Sequence, residues 1–93
     1  MDPSAPISTA QIRAARGLLK WTQAALAHRA ALSAVTLNMI ENETVRPRAA
    51  TLSAIRRALE AGGVQFLGED GAGAGVRFAP GCEPRRRAAE VVA

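Results

Sequence analysis

The side chains of this chain that could do chemistry are hydrogen-bond formers and cations rather than nucleophiles or metal ligands. His28 is the sole histidine and Cys82 the sole cysteine. A catalytic base needs a nucleophile and an orienting group beside it, and a metal needs several ligands at set spacing; neither pattern surrounds these two residues. No carboxylate dyad is visible either, so an enzyme is not expected, and no cofactor or metal is expected. The run Gly71-Ala72-Gly73-Ala74-Gly75 lacks the following helix and the Lys-Ser/Thr pair of a phosphate-binding loop and reads as a flexible connection. What remains are amides and hydroxyls spread along the chain, among them Thr22, Gln23, Ser33, Asn38 and Asn42, and cations such as Arg46 and Arg48 on either side of Pro47. Groups of this kind recognise polar surfaces without transforming them.

The charge agrees. Residues 7–62 hold eight Lys and Arg against three acids, a net of +5, while residues 63–93 are neutral. A basic excess confined to one segment attracts polyanions in a salt-dependent way. Ninety-three residues make one domain. Alanine and leucine dominate, and the aromatics are only Trp21, Phe66 and Phe78, a balance that favours short, closely packed helices. No apolar run approaches the roughly 20 residues that span a bilayer, and the opening Met-Asp-Pro-Ser-Ala-Pro lacks the basic and apolar regions of a signal peptide. A single cysteine fits a reducing cytosol, so the expected location is cytoplasmic.

The elements that must position these groups follow from capping and periodicity. Residues 1–7, with two prolines, read as a disordered arm. Ser8 with Gln11 fits a capping box, and Ile12, Ala15, Leu18 and Leu19 continue as an apolar stripe at helical spacing. Gly17 inside this helix costs roughly 1 kcal/mol relative to alanine; close packing against a neighbour would account for it. Thr22 and Ser33 cap a second and a third short helix. Leu26, Ala27, Ala30, Leu32, Leu37 and Ile40 supply a shared apolar seam. Pro47 keeps Arg46 out of the helical region, which places Glu43 to Arg48 in a loop. A fourth helix follows from about Ala49 to Ala61, with Leu52, Ile55 and Leu59 inward, Arg56 and Arg57 on its solvated outer face, and Gly62-Gly63 as its stop. Val64 to Leu67 and Gly75 to Phe78 then alternate as strands, giving a hairpin with Val64, Phe66, Val76 and Phe78 on one face. Because an isolated hairpin is marginal in water, it must lie on the helices, pair with a second subunit, or both. Residues 80–93, with Arg85-Arg86-Arg87, read as a flexible basic tail. The fold class is therefore mainly α: four helices over 8–62, then a hairpin over 63–79 that can serve dimerisation.

Two short capped helices joined by a tight turn have the shape of a helix-turn-helix, whose second helix can enter a DNA major groove. The residues that carry this pattern resemble a family. Ile12-Arg13-Ala14-Ala15-Arg16, Leu18-Leu19-Lys20-Trp21-Thr22-Gln23, Leu26-Ala27, Leu32-Ser33, Thr36-Leu37, Ile40-Glu41-Asn42, Arg46-Pro47, Thr51-Leu52 and Ile55 to Leu59 are similar to bacterial XRE-type (lambda repressor/Cro-like) transcriptional regulators. The resemblance covers Ser8 to Gly62. It implies a four-helix DNA-binding domain acting as a homodimeric repressor on a palindromic operator, with double-stranded DNA as partner and no membrane.

The resemblance also implies roles at matching positions. Thr22 and Gln23 would meet a phosphate, and Ser33 would cap the third helix and touch the backbone. Ala34, Val35, Asn38 and Met39 would face base edges. Asn42, Arg46 and Arg48 would hold flanking phosphates or enter the minor groove. Arg16 would pair with Glu41, and Val64, Phe66, Val76 and Phe78 would form the dimer interface. The chain departs from the pattern where glycine is usual, at Lys20 and Ala31; a positive φ at Ala31 would strain the backbone by about 1–2 kcal/mol. It departs again on the third helix, where only Asn38 can bond a base bidentately, most naturally adenine, and Ala34 and Val35 can touch thymine methyls. That uncharged face supports an alternative of another class, a protein-binding antiactivator or antitoxin-like module.

Overall fold

A computed structural model describes residues 7–68 and 73–83. In chain order the elements are α1 (Thr9–Leu19), α2 (Gln23–Arg29), α3 (Ala34–Glu41), α4 (Ala49–Ala61), β1 (Val64–Leu67) and β2 (Gly75–Phe78). The chain is thus mainly helical, with a C-terminal antiparallel hairpin. The expected tail segment Arg85 to Arg87 and most of the expected arm lie outside the described residues.

Local chemistry starts the first three helices. Ser8 Oγ accepts from the Gln11 amide at 3.0 Å while Gln11 Oε1 accepts from the Ser8 amide at 2.9 Å, a complete capping box. Thr22 and Ser33 each accept from the amide three residues on, Ala25 and Thr36, at 3.0 Å. The ends of the same three helices share one device. Trp21 N–H donates to the Arg16 carbonyl, Leu32 N–H to Ala27 and Thr44 N–H to Met39, and the residue before each donor, Lys20, Ala31 and Glu43, bonds one carbonyl further on. These are Schellman motifs, which require a left-handed residue at their centre. Here φ is 58° at Lys20 and 59° at both Ala31 and Glu43, so each helix stop holds a Cβ in a region that favours glycine. Residue type marks two of these positions through their departure from the family pattern; nothing local marks Glu43.

The core is assembled around Ile12, Leu26, Leu37, Ile40, Ile55 and Leu59, all fully buried. Ile7, expected in the arm, is also buried in it. Trp21 packs against this core, and a Cβ at Gly62 would come within 2.6 Å of its ring. The last turn of α4 thus needs a residue without a side chain. Gly62 itself keeps φ −78°, and Gly63, at φ +109°, makes the turn into β1. Gly17 has no such reason: a Cβ there meets nothing within 4 Å, which corrects the expectation of close packing.

The hairpin pairs Val64 with Phe78 and Phe66 with Val76, and it lies on α1 and α4. Gln11 fastens it, its Nε2 donating to the carbonyls of Leu67 at 3.1 Å and Gly75 at 3.0 Å, one on each strand. Val64 and Phe66 are 2% and 7% exposed and belong to the core of the protomer. Both were expected in a dimer interface; in the protomer the helices cover them, and Val76 and Phe78 are half-buried. Arg56 is a second correction. It is buried beneath the hairpin, with Nε 3.1 Å from Glu60 Oε2 and its guanidinium 5.4 Å from the Phe66 ring centroid, rather than solvated.

Two substitutions in opposite directions follow from this backbone. Gly17→Ala and Ala31→Gly should each stabilise by about 1 kcal/mol, raising the melting temperature by about 4–8 °C. Thermal unfolding followed by circular dichroism checks both, and a lowered midpoint for either contradicts the assignment. Gly62→Ala should lower the midpoint, because the Trp21 ring must move.

Candidate nucleic-acid interface

The α2–α3 unit is held by a carboxylate buried at its centre. Glu41, the last residue of α3, is 1% exposed. Arg16 on α1 meets it as a two-pronged fork, Nε to Oε2 and Nη2 to Oε1, both 2.8 Å. The same guanidinium donates from Nη1 to the Trp21 carbonyl at 3.0 Å, ahead of α2. Gln23, the first residue of α2, donates Nε2 to Glu41 Oε1 at 3.2 Å. Arg13 Nη1 donates to the Glu41 backbone carbonyl at 3.0 Å, satisfying one of the open carbonyls at the end of α3. A buried charge is tolerated only when paired and hydrogen-bonded, and here α1 and α2 supply the partners for the carboxylate of α3. Arg13 was not legible in this role, because its distance from Glu41 in sequence gives no hint that α1 crosses the end of α3.

Burying Leu37, Ile40 and Glu41 turns the opposite side of α3 to solvent. Ala34, Val35, Asn38 and Asn42 lie there one turn apart and are exposed, Val35 to 69%. Together with half-buried Met39 and Gln23 they line one shallow cleft of about 430 Å³. Six of the residues expected to touch a ligand therefore share one surface. Asn42 Nδ2 donates to Asn38 Oδ1, which fixes the acceptor end of the Asn38 amide. Ser33 Oγ, besides capping α3, donates to Thr36 Oγ1 at 2.8 Å, and Thr22 is exposed at the start of α2.

The loop after α3 carries Arg46 and Arg48, both exposed, and neither side chain makes a hydrogen bond or ion pair with another of the described residues. Arg46 lines a depression with Thr9, Glu43 and Val45, where Thr9 Oγ1 donates to Glu43 Oε1 at 3.2 Å. Val45, 40% exposed beside these cations, escaped the sequence reading because a lone apolar loop residue carries no pattern. Arg29, by contrast, is engaged, stacking 4.4 Å from the centroid of the Trp21 ring. His28 is exposed on α2, and Cys82 is a free, exposed thiol lying against Gly63. Among the described residues no group of three or more His, Cys, Asp or Glu is placed to hold a metal, and no helix is long and apolar enough to cross a membrane.

A family model described as helix-turn-helix matches residues 12–63, the span from the first core residue of α1 to the glycine before β1. No curated protein matches the chain.

Removing Arg16 should separate fold from surface. Arg16→Ala leaves Glu41 buried without its main partner and should cost about 3–5 kcal/mol, a large share of the stability of a domain this size. Arg46→Ala should change stability by less than about 0.5 kcal/mol. Urea unfolding compares the two; equal small losses would mean that the buried pair holds nothing together.

Proposed function

Because the chain belongs to the XRE-type helix-turn-helix family, we propose that it is a sequence-specific DNA-binding regulator which inserts α3 into the major groove. The observation that supports this best is the joint exposure of one face of α3, lined with amides, and of two arginines directly after it whose side chains have no partner among the described residues. Eight residues of α3 span about 12 Å, similar to the width of the groove. In this reading Asn38, Ala34, Val35 and Met39 face base edges. Gln23, held by Glu41, meets the phosphate backbone together with Thr22, Ser33, Asn42, Arg46 and Arg48. The working form is a homodimer on a roughly palindromic operator with half-site centres about 34 Å apart. Val76 and Phe78 are the hairpin residues left to contribute to its interface. Occlusion of a promoter in the cytoplasm, on the nucleoid, is the simplest action for such a domain.

A second reading, a protein-binding module of antiactivator or antitoxin type, is favoured by one observation: among the described residues no cation lines the α3 cleft, which exposes Val35. A gel shift with the DNA upstream of its own gene separates the two. The regulator should bind with log affinity falling steeply against log salt. Arg46→Ala should weaken all sequences alike and flatten that slope by about one per protomer, whereas Asn38→Ala should cost about 1–3 kcal/mol on the preferred sequence and relax base preference. Absence of salt-sensitive, sequence-dependent binding would favour the protein module.

A further inference from the structure

Resting on the reading of α3 as the base-reading helix, we infer that this chain recognises its operator mainly through the 5-methyl group of thymine, with Val35 as the reader and the Asn38–Asn42 pair fixing an adenine beside it. Val35 is the most exposed large apolar side chain among the described residues, at 69%, and it stands in the first turn of α3, the part of a recognition helix that meets bases. A β-branched side chain on a helix is stiff at χ1, so its methyls are held in place before DNA arrives. Ala34 adds a second small apolar contact, and among the described residues no Lys or Arg lines the cleft. Guanine, whose N7 and O6 call for a two-pronged cation, therefore finds no strong partner there.

Thymine C5-methyl is the apolar group that a standard base pair shows in the major groove. One turn beyond Val35, Asn42 donates to Asn38 Oδ1, an arrangement that leaves the Asn38 amino group and the second lone pair of Oδ1 for adenine N7 and N6–H. One turn of helix separates the methyl reader from the amide, so the two address the same or neighbouring A·T pairs. The reader senses a methyl on a pyrimidine rather than thymine as a base. It should thus lose affinity for uracil and regain it for 5-methylcytosine.

The test selects binding sites from a random duplex library with the full chain, then remakes the most enriched duplex with deoxyuridine for thymine at single positions. At one or more positions in each half-site, removal of the methyl should weaken binding about fourfold, the factor set by burying one methyl-sized group. The Val35→Ala protein should show no such loss at that position; Val35 is exposed, so its fold is not at risk. Replacing that T·A pair by C·G should weaken binding, and 5-methylcytosine should recover about fourfold of the loss. A selected site whose affinity stays within twofold at every deoxyuridine position overturns methyl readout while the regulator stands. Full methyl dependence in Val35→Ala overturns the role of Val35. Enrichment of no sequence overturns both the inference and the reading beneath it.

Discussion

The arrangement depends on one buried carboxylate. Glu41 sits where α1, α2 and α3 meet, and its oxygens are taken by Arg16 and Gln23 while its backbone carbonyl is taken by Arg13. An ion pair in a low-dielectric interior is poor as a net source of stability but severe about geometry, because any displacement leaves a charge unpaired. That severity is what α3 needs. The helix has only eight residues and would be marginal alone; its angle to α2 is set by the carboxylate at its end and by the apolar seam of Leu26, Leu37 and Ile40. The outward face of α3 is the consequence: with Leu37, Ile40 and Glu41 inward, Ala34, Val35, Asn38 and Asn42 have no course but to face solvent.

The hairpin plays a part that its sequence only half disclosed. Alternation places Val64, Phe66, Val76 and Phe78 on one face, and the register confirms that face. Alternation cannot say what covers it. Two features decide it: the Gln11 amide reaches both strands from the capping box of α1, and α4 offers Arg56 and Leu59 as a floor. The first strand is consequently core, and a substitution such as Phe66→Asp would act on folding before it acted on association.

Elements were legible where local chemistry specifies them. Hydroxyl caps at Ser8, Thr22 and Ser33, the apolar stripes of α1 and α4, Pro47 and the strand alternation each carry their message in nearby residues. The Schellman stop at Glu43, the burial of Arg56 and the Arg13 bond to the end of α3 were not legible, since they arise from which helix crosses which and leave no trace in spacing. The candidate surface lies between these cases. Its exposed residues follow from the period of α3, but their union with Gln23 in one cleft depends on the crossing angle that Glu41 enforces.

The central claim is that the outward face of α3 and the arginine loop after it meet DNA. Titration of the isotope-labelled protein with a duplex from upstream of its own gene, followed by amide NMR shifts, tests it residue by residue. The account predicts the largest changes between Ser33 and Asn42 and again at Arg46 to Arg48, with the hairpin and α4 little affected within one protomer. Changes concentrated on the groove between α2 and α4 lined by Ala24, Ala25, His28, Arg29, Ala58 and Ala61, or spread evenly at low salt and lost at moderate salt, would contradict it.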